Sequence, residues 1–136
     1  MSWDIFVQDF PSSAKTVEEI PDDYKPPVIG KRSEIIDRIV EIVPIVDFSD
    51  PSWGVIEGRD WSIEVNIGSH EACEGFVLHV RGGDAAAGAV GVILEQLGLR
   101  AIDSQSGRFF VAGEEAVRSF REWKRYRNDI VEPGSE

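Results

Sequence analysis

The chain has 136 residues, 42% of them hydrophobic, with four Trp and seven Phe, which excludes disorder and supplies enough apolar material for one self-sufficient core. Its formal charge of −11 repels phosphate backbones, so no nucleic-acid binder is expected, and no apolar run approaches a membrane span. The single cysteine, Cys73, rules out an intramolecular disulfide framework and suits a reducing compartment.

Residues 3–10 read as a first strand, with Ile5 and Val7 facing one way and Asp4, Phe6 and Gln8 the other, ended by Pro11-Ser12-Ser13. Ahead of it, Met1-Ser2-Trp3-Asp4-Ile5 has neither the basic segment nor the apolar core of a secretory signal, so the cytoplasm is the expected address. From Ala14 to Gly30 the chain is acidic and interrupted by Pro21, Pro26 and Pro27, which reads as a connector within one domain spanning residues 1–136. A helix is expected to start between Gly30 and Ser33 and to run to Val43, because Ile35, Ile39, Ile42 and Val43 recur at helical spacing and Pro44 follows.

Asp47-Phe48-Ser49-Asp50-Pro51 has the composition of a turn, Trp53 to Glu57 is a short strand, and Gly58-Arg59-Asp60 is a tight connection. Two alternating runs follow: Trp61, Ile63, Val65, Ile67 and then Phe76, Leu78, Val80, joined by a loop from Gly68 to Gly75. After Arg81-Gly82-Gly83, Asp84 is the expected N-cap of a second helix with an apolar stripe at Val90, Ile93, Leu94 and Leu97. Gly98 is its expected C-cap, and Gly88 and Gly91 are expected to let its backbone approach the sheet. Short strands are expected over 100–103 and 108–112. A last helix follows from about Gly113, acidic at its start and basic towards Lys124, Arg125 and Arg127, with Ala116, Phe120, Trp123 and Tyr126 as its packing stripe. The fold class is α+β, an antiparallel sheet with helices packed mainly on one face. A ferredoxin-like βαββαβ plan with extra strands and a C-terminal helix fits this order.

If the apolar positions of the two alternating strands face the helices, Glu64, Asn66, His79 and Arg81 fall on the opposite, open face, where Gln8 joins them. Such a set offers a base, an amide and a cation, and a carboxylate near His79 would orient the imidazole for acid–base work. Alternation by itself gives a solvated sheet face the same polarity. His70, Cys73 and His79 lack the paired spacing of a structural zinc site, so no metal and no cofactor is expected, and Cys73 has no motif of an activated thiol. The glycines of Arg81-Gly82-Gly83-Asp84 have neither dinucleotide-fingerprint nor P-loop spacing.

Charge is uneven: residues 1–60 carry six basic and thirteen acidic groups, residues 61–112 three and six, and residues 113–136 five and six. The acidic front half suits association with a basic protein, with Asp47, Asp50, Glu57 and Asp60 as steering charges and Trp53 as an exposed anchor. The basic side chains Arg118, Arg121 and Arg125 at helical spacing suit phosphate or an acidic partner, but the expectation is that they dock against the acidic front half of the chain, with Glu114 four residues from Arg118.

In the segments Trp3-Asp4-Ile5-Phe6-Val7-Gln8-Asp9, Leu97-Gly98-Leu99-Arg100-Ala101-Ile102-Asp103 and Gly107-Arg108-Phe109-Phe110 the chain resembles small uncharacterised bacterial proteins, some of which accompany polymorphic toxins as immunity factors. That resemblance implies a bacterial cytosolic origin and a protein-binding role, and it carries over no catalytic residues. The expected function is therefore a non-enzymatic protein-binding module, of which an immunity-type inhibitor of a basic toxin is one form. The alternatives are a small hydrolase or small-molecule binder using the open face, and a structural homodimer.

Overall fold

The computed structural model describes residues 3–131. Nine strands and three helices follow one another as β1 (Trp3–Gln8), β2 (Gly30–Lys31), α1 (Arg32–Ile42), β3 (Asp47–Asp50), β4 (Trp53–Glu57), β5 (Ser62–Asn66), β6 (Ala72–Cys73), β7 (Gly75–Arg81), α2 (Asp84–Leu97), β8 (Arg100–Asp103), β9 (Arg108–Phe109) and α3 (Glu114–Val131). Seven strands form one antiparallel sheet in the order β3-β4-β5-β7-β1-β8-β9, and β2 pairs with β6 in a separate two-stranded sheet. The class is thus α+β. The ferredoxin-like plan is four strands wide and does not by itself account for a seven-stranded sheet.

Period-two alternation sets the core. Ile5, Val7, Ile56, Ile63, Val65, Leu78 and Val80 are each no more than 1% exposed and pack with Ile35, Ile39 and Val43 of α1 and its end, and with Ala89, Val90 and Ile93 of α2. Each such aliphatic side chain withdrawn from water stabilises the fold by about 1.5–3 kcal/mol. Helix α1 starts where the Glu34 carboxylate reaches back to accept from the Lys31 N–H at 3.2 Å, and Arg38 ties it to α2 by donating to the Gln96 carbonyl at 2.6 Å. No helix among the described residues is long and apolar enough to cross a membrane.

Several local expectations are corrected. Asp84 is the first helical residue of α2 and Gly83 holds the cap position, because the chain turns one residue earlier than a side-chain cap requires. Gly88 and Gly91 face α3 and the segment leading into it, not the sheet: a Cβ on Gly88 would lie 1.9 Å from the Ala116 carbonyl oxygen, and one on Gly91 2.4 Å from the Ala112 Cβ. Gly98 ends α2 in the left-handed region at φ 68°. Asp47 to Asp50 is a strand as well as a turn, since Asp47 accepts from the Ser49 N–H at 2.8 Å while the segment pairs with β4. Arg118 pairs with Glu115 at 3.0 Å, one residue nearer in the chain than Glu114. In α3, Ala116 and Phe120 are buried, Phe120 meeting Trp61 edge-on at 6.3 Å. Trp123, Lys124, Tyr126 and Arg127 lie outside the residues whose side chains are described.

Candidate functional site

The face of the sheet away from the core is organised by register into three rows. Val55, Glu64, His79 and Asp4 are successive cross-strand partners on β4, β5, β7 and β1. One step along the strands lie Trp53, Asn66, Val77, Phe6, Ile102 and Phe109, running from β4 to β9. One step the other way come Glu57, Ser62 and Arg81. A row bearing two carboxylates and a histidine is therefore flanked by a mostly apolar one, and Phe6 at the centre of the latter is 42% exposed.

Glu64, Asn66, His79 and Arg81 share this face but do not converge on one point. His79 Nδ1 lies 2.8 Å from the Asp4 carboxylate, and the Trp53 ring stacks on the imidazole at 5.5 Å and 18°. With Asp4 ionised, Nδ1 is the donor, and the neutral ring keeps Nε2 as an acceptor. Glu64, the direct strand partner of His79, is engaged elsewhere, 3.6 Å from Arg81 Nη1. Asn66 and Gln8 belong to a neighbouring cleft. Sequence reasoning placed Asp4 on the correct side of its strand yet missed it as the partner of His79. The only available signal was the parity of β1, because nothing local reports that residues 4 and 79 are neighbours.

The acidic candidates divide similarly. Asp47 and Glu57 flank Val55 at a shallow hollow that also takes in Ile45, on the β3–β4 side of the open face. Asp50 pairs with Trp53 across the turn, and Asp60 lies in the connection leading to β5. Hydrogen bonds from the Ser49 hydroxyl, then from its backbone N–H, hold the Asp47 carboxyl below the usual range, and Ser52 does the same for Asp50. Trp53 is half-buried against His79 and not the exposed ring expected of it.

A cleft of about 740 Å³ opens where the β5–β7 loop meets the open face, and Phe6, Gln8, Asn66, Val77, Glu71 and Glu74 are among its lining residues. Its loop wall is fastened from behind: Arg32 donates to the Gly68 carbonyl at 2.9 Å, the Ser33 hydroxyl lies 3.3 Å from the Glu71 carboxylate, and β6 pairs with β2. Cys73 is 3% exposed with its Sγ 3.3 Å from the Gly75 carbonyl. Burial pushes its thiol pKa up, the opposite of what a nucleophile needs. Among the described residues no group of three or more His, Cys, Asp or Glu is placed to hold a metal ion.

A scan against protein-family models, a search of curated proteins and a search of solved structures each return no match to the chain.

Proposed function

We propose that the protein is a non-enzymatic binding module whose uncovered sheet face docks a basic protein partner. An immunity-type inhibitor of a basic toxin, acting in a bacterial cytoplasm, is the form of this function that the sequence resembles. The observation that carries it is the pairing, on one open face, of an apolar row through Phe6 with a row bearing Asp4 and Glu64, bordered by Asp47 and Glu57. An apolar strip excludes water, and flanking carboxylates select a cationic partner and speed its approach. A second copy is a poorer occupant, since a two-fold contact through this face brings like-charged rows together. We read the scaffold as a ferredoxin-like core of β1, α1, β5, β7, α2 and β8, extended at both edges, on the strength of the central order β5-β7-β1-β8.

The test is to capture a partner from the host with the full chain and then measure the purified pair. The expected result is a basic protein whose affinity falls with salt, as charges separated by more than about 8 Å are screened at physiological ionic strength, and falls further with Glu64→Lys and Trp53→Ser. Neutralising Asp47, Asp50, Glu57 and Asp60 together should slow association more than it speeds dissociation. A partner indifferent to salt and to all of these changes would overturn the proposal.

One observation favours a second function, a small hydrolase: the Asp4 carboxylate orients His79 as it would a general base. Turnover of a small molecule abolished by His79→Ala, with no protein partner recovered, would put that function in place of docking.

A further inference from the structure

We infer that the cleft beside Phe6 is the anchor pocket of this docking face and that it receives an arginine side chain of the partner; this rests on the docking function proposed above. The cleft's volume of about 740 Å³ is that of a ligand site, yet it is open along the sheet, which suits a side chain reaching in from a docked surface. Its fixed charge is negative, and His70 is the one ionisable nitrogen group among its described lining residues. Glu71 and Glu74 line it, and among the described lining residues there is no Lys or Arg. A phosphate or carboxylate ligand is disfavoured by those carboxylates, and a bare metal ion by the absence, among the described residues, of a cluster of three ligating groups.

Shape then selects among cations. Phe6 offers a ring that is 42% exposed, and the carboxamides of Gln8 and Asn66 supply acceptor oxygens nearby. A planar guanidinium can lie on the ring and still point its edge donors at carboxylate and amide oxygens, whereas an ammonium is compact and strongly hydrated. The same row already contains this contact: the Arg100 guanidinium carbon sits 3.6 Å over the Phe109 ring, two strands from Phe6. The floor is also set in advance. Gly75 has no side chain where a Cβ would meet the Val7 carbonyl oxygen at 2.3 Å and Gln8 Cγ at 2.8 Å, so any larger residue there would displace Gln8.

The experiment is an NMR titration of the ¹⁵N-labelled full chain with the peptide acetyl-Gly-Arg-Gly-amide, against the same peptide carrying lysine and one carrying neutral, isosteric citrulline. Saturable shifts at the backbone amides of Gly68, Glu71, Glu74 and Val77 are expected with arginine, weaker ones with lysine and none with citrulline. Phe6→Leu, which keeps an apolar side chain but removes the ring, and Glu71→Gln with Glu74→Gln should each weaken arginine binding about fivefold or more. Equal shifts from citrulline, or arginine shifts that map elsewhere and persist in Phe6→Leu, overturn the inference. If the basic partner loses affinity with Glu64→Lys and Trp53→Ser but is unaffected by Phe6→Leu and the glutamate changes, the anchor pocket is wrong and docking stands. If neither set matters, docking falls too.

Discussion

Replacing Gly88 with alanine puts one methyl group into a close contact between helices α2 and α3. The new Cβ would sit 1.9 Å from the Ala116 carbonyl oxygen, 2.6 Å from its carbon and 2.8 Å from the Phe120 Cβ. The first two atoms are backbone, so relief requires α3 to move outward. That motion loosens Phe120, which is fully buried, and its edge-on contact with Trp61. Overpacking of this kind costs about 1–3 kcal/mol, and a backbone clash falls at the upper end or beyond. Alanine returns roughly 1 kcal/mol through helix propensity. The net expectation is a loss of about 2–3 kcal/mol, a fall in Tm of about 7–10 °C for a chain of this size. Thermal and urea unfolding followed by tryptophan fluorescence would measure it, with an unchanged urea slope as the check on two-state behaviour. The control is Gly98→Ala, which meets open space but must adopt φ 68°, and should lose only about 1–2 kcal/mol. A Gly88→Ala protein as stable as wild type refutes the account of how α3 is seated.

Adjacent residues of β1 should respond very differently: Ile5→Ala, at 0% exposure, is expected to cost about 2–5 kcal/mol in urea unfolding, and Phe6→Ala no more than about 0.5 kcal/mol. Equal losses would show that Phe6 is a core residue and not part of an interaction surface. Asp47 and Asp50 have folded pKa values below their unfolded ones, so the stabilisation from their serine hydrogen bonds is present above about pH 3.9 and is lost as pH falls through the lower folded values. Carboxyl titration by NMR should place both midpoints below that of free aspartate, and Ser49→Ala should raise only that of Asp47. Cys73 has the reverse sign: its pKa is raised on folding, so its contribution is complete below the free-thiol value near 8.5 and declines as pH rises towards the folded value. Labelling by Ellman's reagent at neutral pH should accordingly be slow and should track unfolding, and fast stoichiometric labelling of the native protein would contradict it.

What the sequence discloses is what neighbours in the chain decide. Alternation at Ile63 and Val65, and at Leu78 and Val80, sets both the buried face and the register that makes Glu64 the partner of His79. The C-cap at Gly98 and the start of α1 near Arg32 are likewise local. What it withholds depends on contacts far apart in the chain. Asp4 meets His79 only because β1 lies beside β7, and Trp53 stacks on that imidazole only because β4 and β5 carry it there. Pairing of β2 with β6 spans two residues on each side, too short for any period to register. Ser49 and Ser52 make Asp47 to Asp50 look like a turn because the hydrogen bonds they give those carboxylates are the bonds of a turn, whatever strand is superimposed on them.

The position of β1 also dictates when the protein can form. It lies near the beginning of the chain yet sits between β7 and β8, with Trp3 opposite Val80, Ile5 opposite Asp103, and the Trp3 indole donating to the Asp103 carboxylate at 2.6 Å. During synthesis the strand has no neighbour until its partners have left the ribosome, and each pairing must close a long loop, the one to β8 longer than the one to β7. Until then Ile5 and Val7, later fully buried, remain open to water on an unpaired strand. The meander β3-β4-β5-β7 can assemble early from short hairpins, and β1 then enters last as the strand that joins it to β8. A nascent chain arrested before residue 100 should therefore expose its N-terminal strand to protease and chaperone, and one extended well past residue 103 should not.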